Sequence, residues 1–325
     1  MRQYDINIDI IKGITILSVL ILHIVPYSLL SKTFSEFHIW QAVPVFIVII
    51  TINFEFSVSR CFSYLEFIKK RAFRIIIPMI SINILYLFIG HDDILFTFFD
   101  LFTLTLFSGP GKYFIFLLLQ IVFLFYFISK LHKTHRILII INSFFISIAF
   151  EYLIYYFTMD RSNILIRGSI LQYIFLIVLT IELMKINSVN ISIFKSKFMW
   201  IFYISIFWLL FYKSLGFDFW QNFLGQPYSI ILYIILYKIL TSIKNINLIR
   251  TLFSLAGKAS LHIFLLQILL FGLNIKITVY NYMLSIFNIQ LMAELFSFIL
   301  IIFIISFFGV LWYILENRVL RYVKN

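Results

Sequence analysis

Apolar residues recur along this chain in runs of about 20 residues, separated by short polar stretches. A helix rising about 1.5 Å per residue needs a run of that length to cross a hydrocarbon core roughly 30 Å thick. Ten such spans are expected, at 10–30, 40–59, 73–90, 112–130, 136–157, 164–184, 198–214, 227–243, 258–279 and 292–315. The run 94–107 is shorter and holds Asp100, which fits an interfacial helix on the outer face better than a span. Helices satisfy their own backbone groups in lipid, so the pattern predicts an all-α polytopic membrane helix bundle. It fills 1–325 as a single integral-membrane domain, and no loop is long enough to hold a soluble one. A composition of 62% hydrophobic and only 12% charged residues excludes a soluble fold of this length.

The charges orient this bundle. The chain carries 26 Lys and Arg against 14 Asp and Glu, a net charge of +12. That balance suggests a nucleic-acid partner until the positions are read: the cations sit in short loops and at helix ends. With both termini inside, the expected cytoplasmic side holds 20 of them and the outer side 6, Lys32, Lys112, Arg161, Arg167, Lys213 and Lys276. Such a bias is the positive-inside signature, so the expected topology is N-in and C-in in a cell membrane, with lipid rather than nucleic acid as the surrounding partner. The first apolar run has no small-residue cleavage site after it and reads as a retained helix. A single cysteine, Cys61, rules out an internal disulfide and a cysteine metal cluster, and no metal is expected.

Against this apolar background a few polar residues stand out. Asp9, Lys12 and His23 lie in the first span. Eleven residues turn a helix through roughly 1100°, within about 20° of three full turns, so Lys12 and His23 share a face. The rise puts His23 roughly 16 Å beyond Lys12, near the membrane midplane. An ionisable group at that depth costs free energy unless it meets a polar partner or a cavity, and so reads as a functional-site candidate. The plain alternative is an interhelical hydrogen bond.

A second cluster, Lys69, Lys70, Arg71 and Arg74, stands on the cytoplasmic side before the third span. Arg71 and Arg74, three residues apart on one helix, have the geometry to clamp a phosphate; ordinary flanking charge is the alternative. Pro78 is expected to kink that helix near its cytoplasmic end. Among other polar residues in or near spans, Glu151 is deep enough to line a cavity with His23, whereas Glu182 and His262 are expected to be interfacial. Tyr113 and Trp220 are candidates for stacking on a sugar.

Taken in order, these motifs resemble the integral-membrane acyltransferase 3 family. The resemblance rests on Asp9-x-x-Lys12-Gly13 followed by an apolar run to His23, and on Arg71-x-x-Arg74-Ile75 followed by Pro78. Gln41-Ala42-Val43-Pro44-Val45-Phe46, Ser108-Gly109-Pro110-Gly111-Lys112-Tyr113-Phe114, Gly257-x-x-Ser260 and Leu315-Glu316-Asn317-Arg318 continue it along the chain. It implies transfer of an acyl group, commonly acetyl, from cytoplasmic acyl-CoA to a hydroxyl of a surface glycan or its lipid-linked precursor. It implies His23 as the residue of the chemistry, either as general base or as the acyl carrier. Coenzyme A would be held by Lys12, Lys70, Arg71 and Arg74, with Asp9, Lys112, Tyr113, Glu151 and Gln267 as weaker acceptor or cavity candidates. Three positions depart from the pattern. Lys12 replaces the usual Arg and keeps its charge without the planar fork. Ile50-Thr51-Ile52-Asn53 replaces a Ser-Gly. Gln267 replaces a His seven residues after Ser260, and an amide can bond a sugar but not act as a base. Two other classes stay open, a transporter or flippase for a lipid-linked glycan and a polysaccharide polymerase.

Overall fold

The computed structural model describes residues 5–26, 30–33, 35–61, 63–89, 111, 113–157, 168–185, 200, 203–207, 221–242 and 247–324. These are helical almost throughout, with no strand among them. The main helices, in chain order, are α1 Ile6–Ile24, α2 Ala42–Val58, α3 Tyr64–Ile89, α4 Tyr113–Thr134, α5 Arg136–Phe157 and α6 Ile170–Lys185. They continue with α7 Gln221–Ser242, α8 Asn247–Lys258, α9 Ser260–Gly272, α10 Ile275–Phe287 and α11 Gln290–Lys324. The expected helix at 94–107 lies outside the described residues. Of the expected span 198–214, residues 200 and 203–207 are described and are helical.

By length and composition four of these helices can cross a membrane: α1, α4, α5 through Ile154, and α11 through Leu320. The pair α8–α9 is bent by 68° at Ala259 and adds a fifth if it is one broken span. Helices α2 and the apolar part of α6 are as apolar but shorter. Large side chains face outward along these helices. Ile299, Phe303 and Phe307 on α11 are each more than half exposed, as are Phe145 and Tyr152 on α5. An apolar surface of that kind fits a lipid environment rather than water.

The chain forms two compact units. One comprises residues 1–35, 73–112 and 245–325, the other 36–72 and 113–244, and the division falls within α3. The first unit is organised on α1. Asp5 caps this helix by accepting from the Asn7 amide at 3.0 Å, and Val25 is extended ahead of Pro26, which cannot continue a helix. That proline is why α1 stops at Ile24 and not near residue 30. Helix α1 packs chiefly against α8, and also against α9 and α11. At the crossing with α8 the backbones touch. A Cβ added at Gly257 would stand 1.7 Å from the Asp9 carbonyl oxygen, and one added at Gly13 would stand 2.1 Å from the Phe253 carbonyl oxygen. Arg250 Nη2 donates to Asn7 Oδ1 at 2.8 Å beside this crossing.

The expected ninth span, 258–279, is not one helix. Asn274 adopts the left-handed conformation that asparagine tolerates, ending α9 and starting α10, which packs on α11. Helix α8 precedes the bend with its small residues, Ser254, Ala256 and Gly257, buried and with Leu248, Ile249 and Leu252 outward.

In the second unit α6 is central, packed against α2, α4, α5 and α7. Phe175, Leu176, Ile177, Val178 and Leu179 are consecutive and all buried, the pattern of a helix enclosed on every side.

Candidate functional site

The first unit gathers several of the residues singled out in the sequence. His23 occupies the last turn of α1 and is half-buried. Its position is thus near a helix end, not the middle of a longer helix, because Pro26 shortens α1. Beside it runs Gly111, with φ of +92°. A methyl group at Gly111 would lie 3.7 Å from His23 Nε2, and 3.2 Å from Cζ and 3.3 Å from Cε2 of Phe264 on α9. A side chain there would be strained and would crowd both rings, so this position suits glycine. Three residues further along α9 is Gln267, fully buried, with neither Nε2 nor Oε1 hydrogen-bonded. Leaving a buried amide unsatisfied costs about 1–3 kcal/mol. Gln172 and Gln226, also buried, each use Nε2 as a donor instead.

Lys12 Nζ donates to Asp9 Oδ1 at 3.1 Å, with Asp9 buried at the α1–α8 crossing. These two candidates therefore pair with each other. Arg74 is on the same unit and faces outward.

The remaining candidates belong to the second unit. Helix α3 begins at Tyr64, nine residues before the expected span, so Arg71 and Arg74 do lie on one continuous helix. Arg71 turns onto α2: Nε donates to Ser57 Oγ at 3.2 Å, Nη2 donates to the Asn53 carbonyl at 3.3 Å, and the guanidinium lies 5.1 Å from the Phe54 ring centroid. Lys70 donates to Glu66 Oε1 at 2.6 Å on the outward side of α3. Helix α3 runs on through Pro78 as a single element. Tyr113 begins α4. Glu151 is buried in α5 and accepts from Gln172 Nε2 on α6 at 3.2 Å, while Gln226 Nε2 on α7 donates to the Gln172 carbonyl. Lys112 lies outside the described residues.

Glu182 and His262, expected near the interface, are both buried within the protein. Glu182 is fully buried, bonded by the Arg136 guanidinium through Nε and Nη2, with His132 Nε2 3.1 Å from its Oε2. His262 is 5% exposed, 3.3 Å from Glu316 Oε1, and packed edge-on to Trp312 and Tyr313. Both side chains have a polar partner on another helix. His132 lies in the last turn of α4 and Arg136 opens α5, so the two sides of the turn between these helices reach one acid. Glu55 likewise accepts from Ser129 at 2.6 Å and pairs with Lys133 at 3.1 Å. Phe264 carried no signal of its own beyond an apolar run. Among the described residues no group of three His, Cys, Asp or Glu could hold a metal ion.

What the first unit offers is an imidazole nitrogen beside a glycine, an Asp9–Lys12 ion pair lower on the same helix, and a buried primary amide on the neighbouring one. A group able to take a proton and a group able to donate to an oxygen suit acyl transfer. A family model described as an acyltransferase domain matches residues 5–315, from the N-cap of α1 into α11 and through both units. No curated protein and no solved structure matches the chain. The family match, spanning nearly the whole chain, identifies it as a member of the acyltransferase 3 family, an acyltransferase with helices apolar enough for a membrane.

Proposed function

We propose that this protein is a multi-pass O-acyltransferase of the cell membrane, with ten spans and both termini cytoplasmic. It moves an acyl group, acetyl in the simplest case, from cytoplasmic acyl-CoA to a hydroxyl of a surface or lipid-linked glycan. The observation that carries this reading is the setting of His23, whose Nε2 stands beside Gly111 in the last turn of α1. In this reading His23 is the general base. The acceptor oxygen attacks the thioester carbonyl carbon as its proton passes to the imidazole, the C–S bond breaks, and the thiolate takes the proton back as free thiol. Open carbonyls at the end of α1 favour the positive charge that the imidazole gains in that step.

The donor is held from the cytoplasmic side by cations. In this reading Arg74 and Lys70, both exposed on α3, take phosphates of the donor, and Lys12 on α1 is a further cation for it. Arg71 supports this region by fastening α3 to α2. Tyr113, Lys112 and Glu151 belong to the acceptor side in this reading. The two compact units then serve one acyltransferase domain over 1–325.

A second reading, a transporter for lipid-linked glycans, draws on the 68° break between α8 and α9. Transporters of that kind usually pair two broken helices in related halves, and among the described residues there is one such pair. The two readings separate on one experiment. Vesicles holding the protein and supplied with [¹⁴C]acetyl-CoA on the cytoplasmic face should place label, removable by mild alkali, on a glycan. Glycan translocation with no label incorporated would favour the transporter.

A further inference from the structure

We infer that Gln267 is the electrophilic partner of His23: its side-chain amide donates to the thioester carbonyl oxygen as the acceptor hydroxyl attacks. The inference rests on the acyltransferase reading above and adds a residue to it. Three observations bring Gln267 to this role. It is fully buried, and neither of its amide atoms has a hydrogen-bond partner, whereas Gln172 and Gln226 each spend their Nε2 on the protein. It follows Phe264 by three positions, so the two side chains are neighbours on the surface of α9. The Phe264 ring meets Gly111, and Gly111 meets His23 Nε2, which places Gln267 on the helix that faces the imidazole. A buried amide with no partner in the protein is an oddity that a native fold retains where a substrate supplies the partner.

The chemistry needs such a donor. When the acceptor oxygen bonds to the carbonyl carbon, the carbonyl π pair moves onto oxygen. Nε2–H of Gln267 meets that developing charge in surroundings from which water is excluded. The acceptor proton goes to His23, the C–S bond breaks as the carbonyl re-forms, and the proton leaves with the thiolate. No group is consumed, and Gln267 stays neutral throughout. An amide suits this task, having two N–H donors and no titration near neutral pH.

The test uses the full-length protein in membranes that contain its native acceptor, with acetyl-CoA as donor and thiol release as the readout. Gln267→Met keeps the shape of the side chain and removes both polar atoms. Its kcat should fall about 10²–10³-fold, as for loss of one oxyanion donor, while KM for acetyl-CoA moves less than about threefold. Its unfolding temperature, measured on purified protein, should equal or exceed that of the wild type, because an unsatisfied buried amide has been removed. Gln267→His restores an N–H donor and should recover part of kcat. A Gln267→Met protein with wild-type kcat overturns the inference. So does one that loses activity together with stability, since a packing role would do that. Failure of the underlying reading shows elsewhere: His23→Ala at the wild-type rate would remove the base, whereas an inactive His23→Ala beside a fully active Gln267→Met removes the Gln267 role alone.

Discussion

Gly257 lies directly on the backbone of Asp9: a methyl group at Gly257 would stand 1.7 Å from the Asp9 carbonyl oxygen. Two motifs at opposite ends of the chain, Asp9-x-x-Lys12-Gly13 and Leu255-Ala256-Gly257-Lys258, are therefore one device. They form a helix crossing close enough that neither glycine can carry a side chain. The crossing fixes α1, and α1 carries His23.

Gly257→Ala and Gly13→Ala should each damage the fold itself. Overpacking a core costs about 1–3 kcal/mol, and here the obstacle is backbone, which cannot swing away like a flexible side chain. We expect each variant to melt well below the wild type in detergent, or to fail to accumulate in the membrane. Wild-type melting for Gly257→Ala would show that the helices cross less closely than described.

The basic cluster on α3 should divide into two kinds of residue. Arg71 bonds Ser57 and the Asn53 carbonyl and lies over Phe54, so Arg71→Ala should lower thermal stability as well as donor binding. Arg74 faces outward, so Arg74→Ala should leave stability unchanged and weaken acetyl-CoA binding. The weakening should shrink as salt is raised, because exposed phosphate contacts are screened. Equal effects of the two substitutions on stability would contradict this division.

Much of the architecture was legible before the structure, for a physical reason. Long apolar runs bounded by charge mark helices clearly, and α5 begins at Arg136 and ends at Phe157 as expected. The end of α1 was misplaced because the apolar run continues past Pro26, whose ring stops a helix whatever the hydropathy. Helix α8 was missed because its signal is periodic and not apolar: Asn247, Arg250 and Thr251 interrupt Leu248, Ile249 and Leu252. His23, Lys12 and Gln267 were legible as polar residues in apolar surroundings. Their neighbours were not. The bond from Arg250 to Asn7 joins residues 243 apart in the chain, and no local pattern announces which helices meet. The partners of Glu182 and His262 were hidden for the same reason: only packing reveals that a partner waits on another helix.

The buried acid of the second unit gives a separate prediction. Glu182 is fully buried and receives two bonds from Arg136, whose own side chain is about half exposed. Arg136→Ala leaves a carboxylate in the core with His132 as its neighbour, and breaking a buried pair from one side costs about 3–5 kcal/mol. A thermal melt should show a loss of several degrees. Replacing both partners, Arg136→Leu with Glu182→Leu, should recover much of it, and a double variant no better than the single would exclude a buried-charge penalty as the cause.

The proposed topology is tested by reporter fusions at Lys32, Ser188 and the C-terminus. The 20-to-6 distribution of cations predicts Lys32 outside and the other two inside. An outside location for Ser188 or the C-terminus would end the ten-span arrangement.

The central claim is that His23 performs the acyl transfer, and one measurement addresses it directly: acetyl transfer by purified His23→Ala compared with wild type at matched thermal stability. Loss of a general base typically lowers a rate about 10²–10⁴-fold. The account predicts a fall of that size with acetyl-CoA binding preserved, because the cations that hold the donor are untouched. A well-folded His23→Ala protein that acetylates its acceptor at the wild-type rate would contradict it.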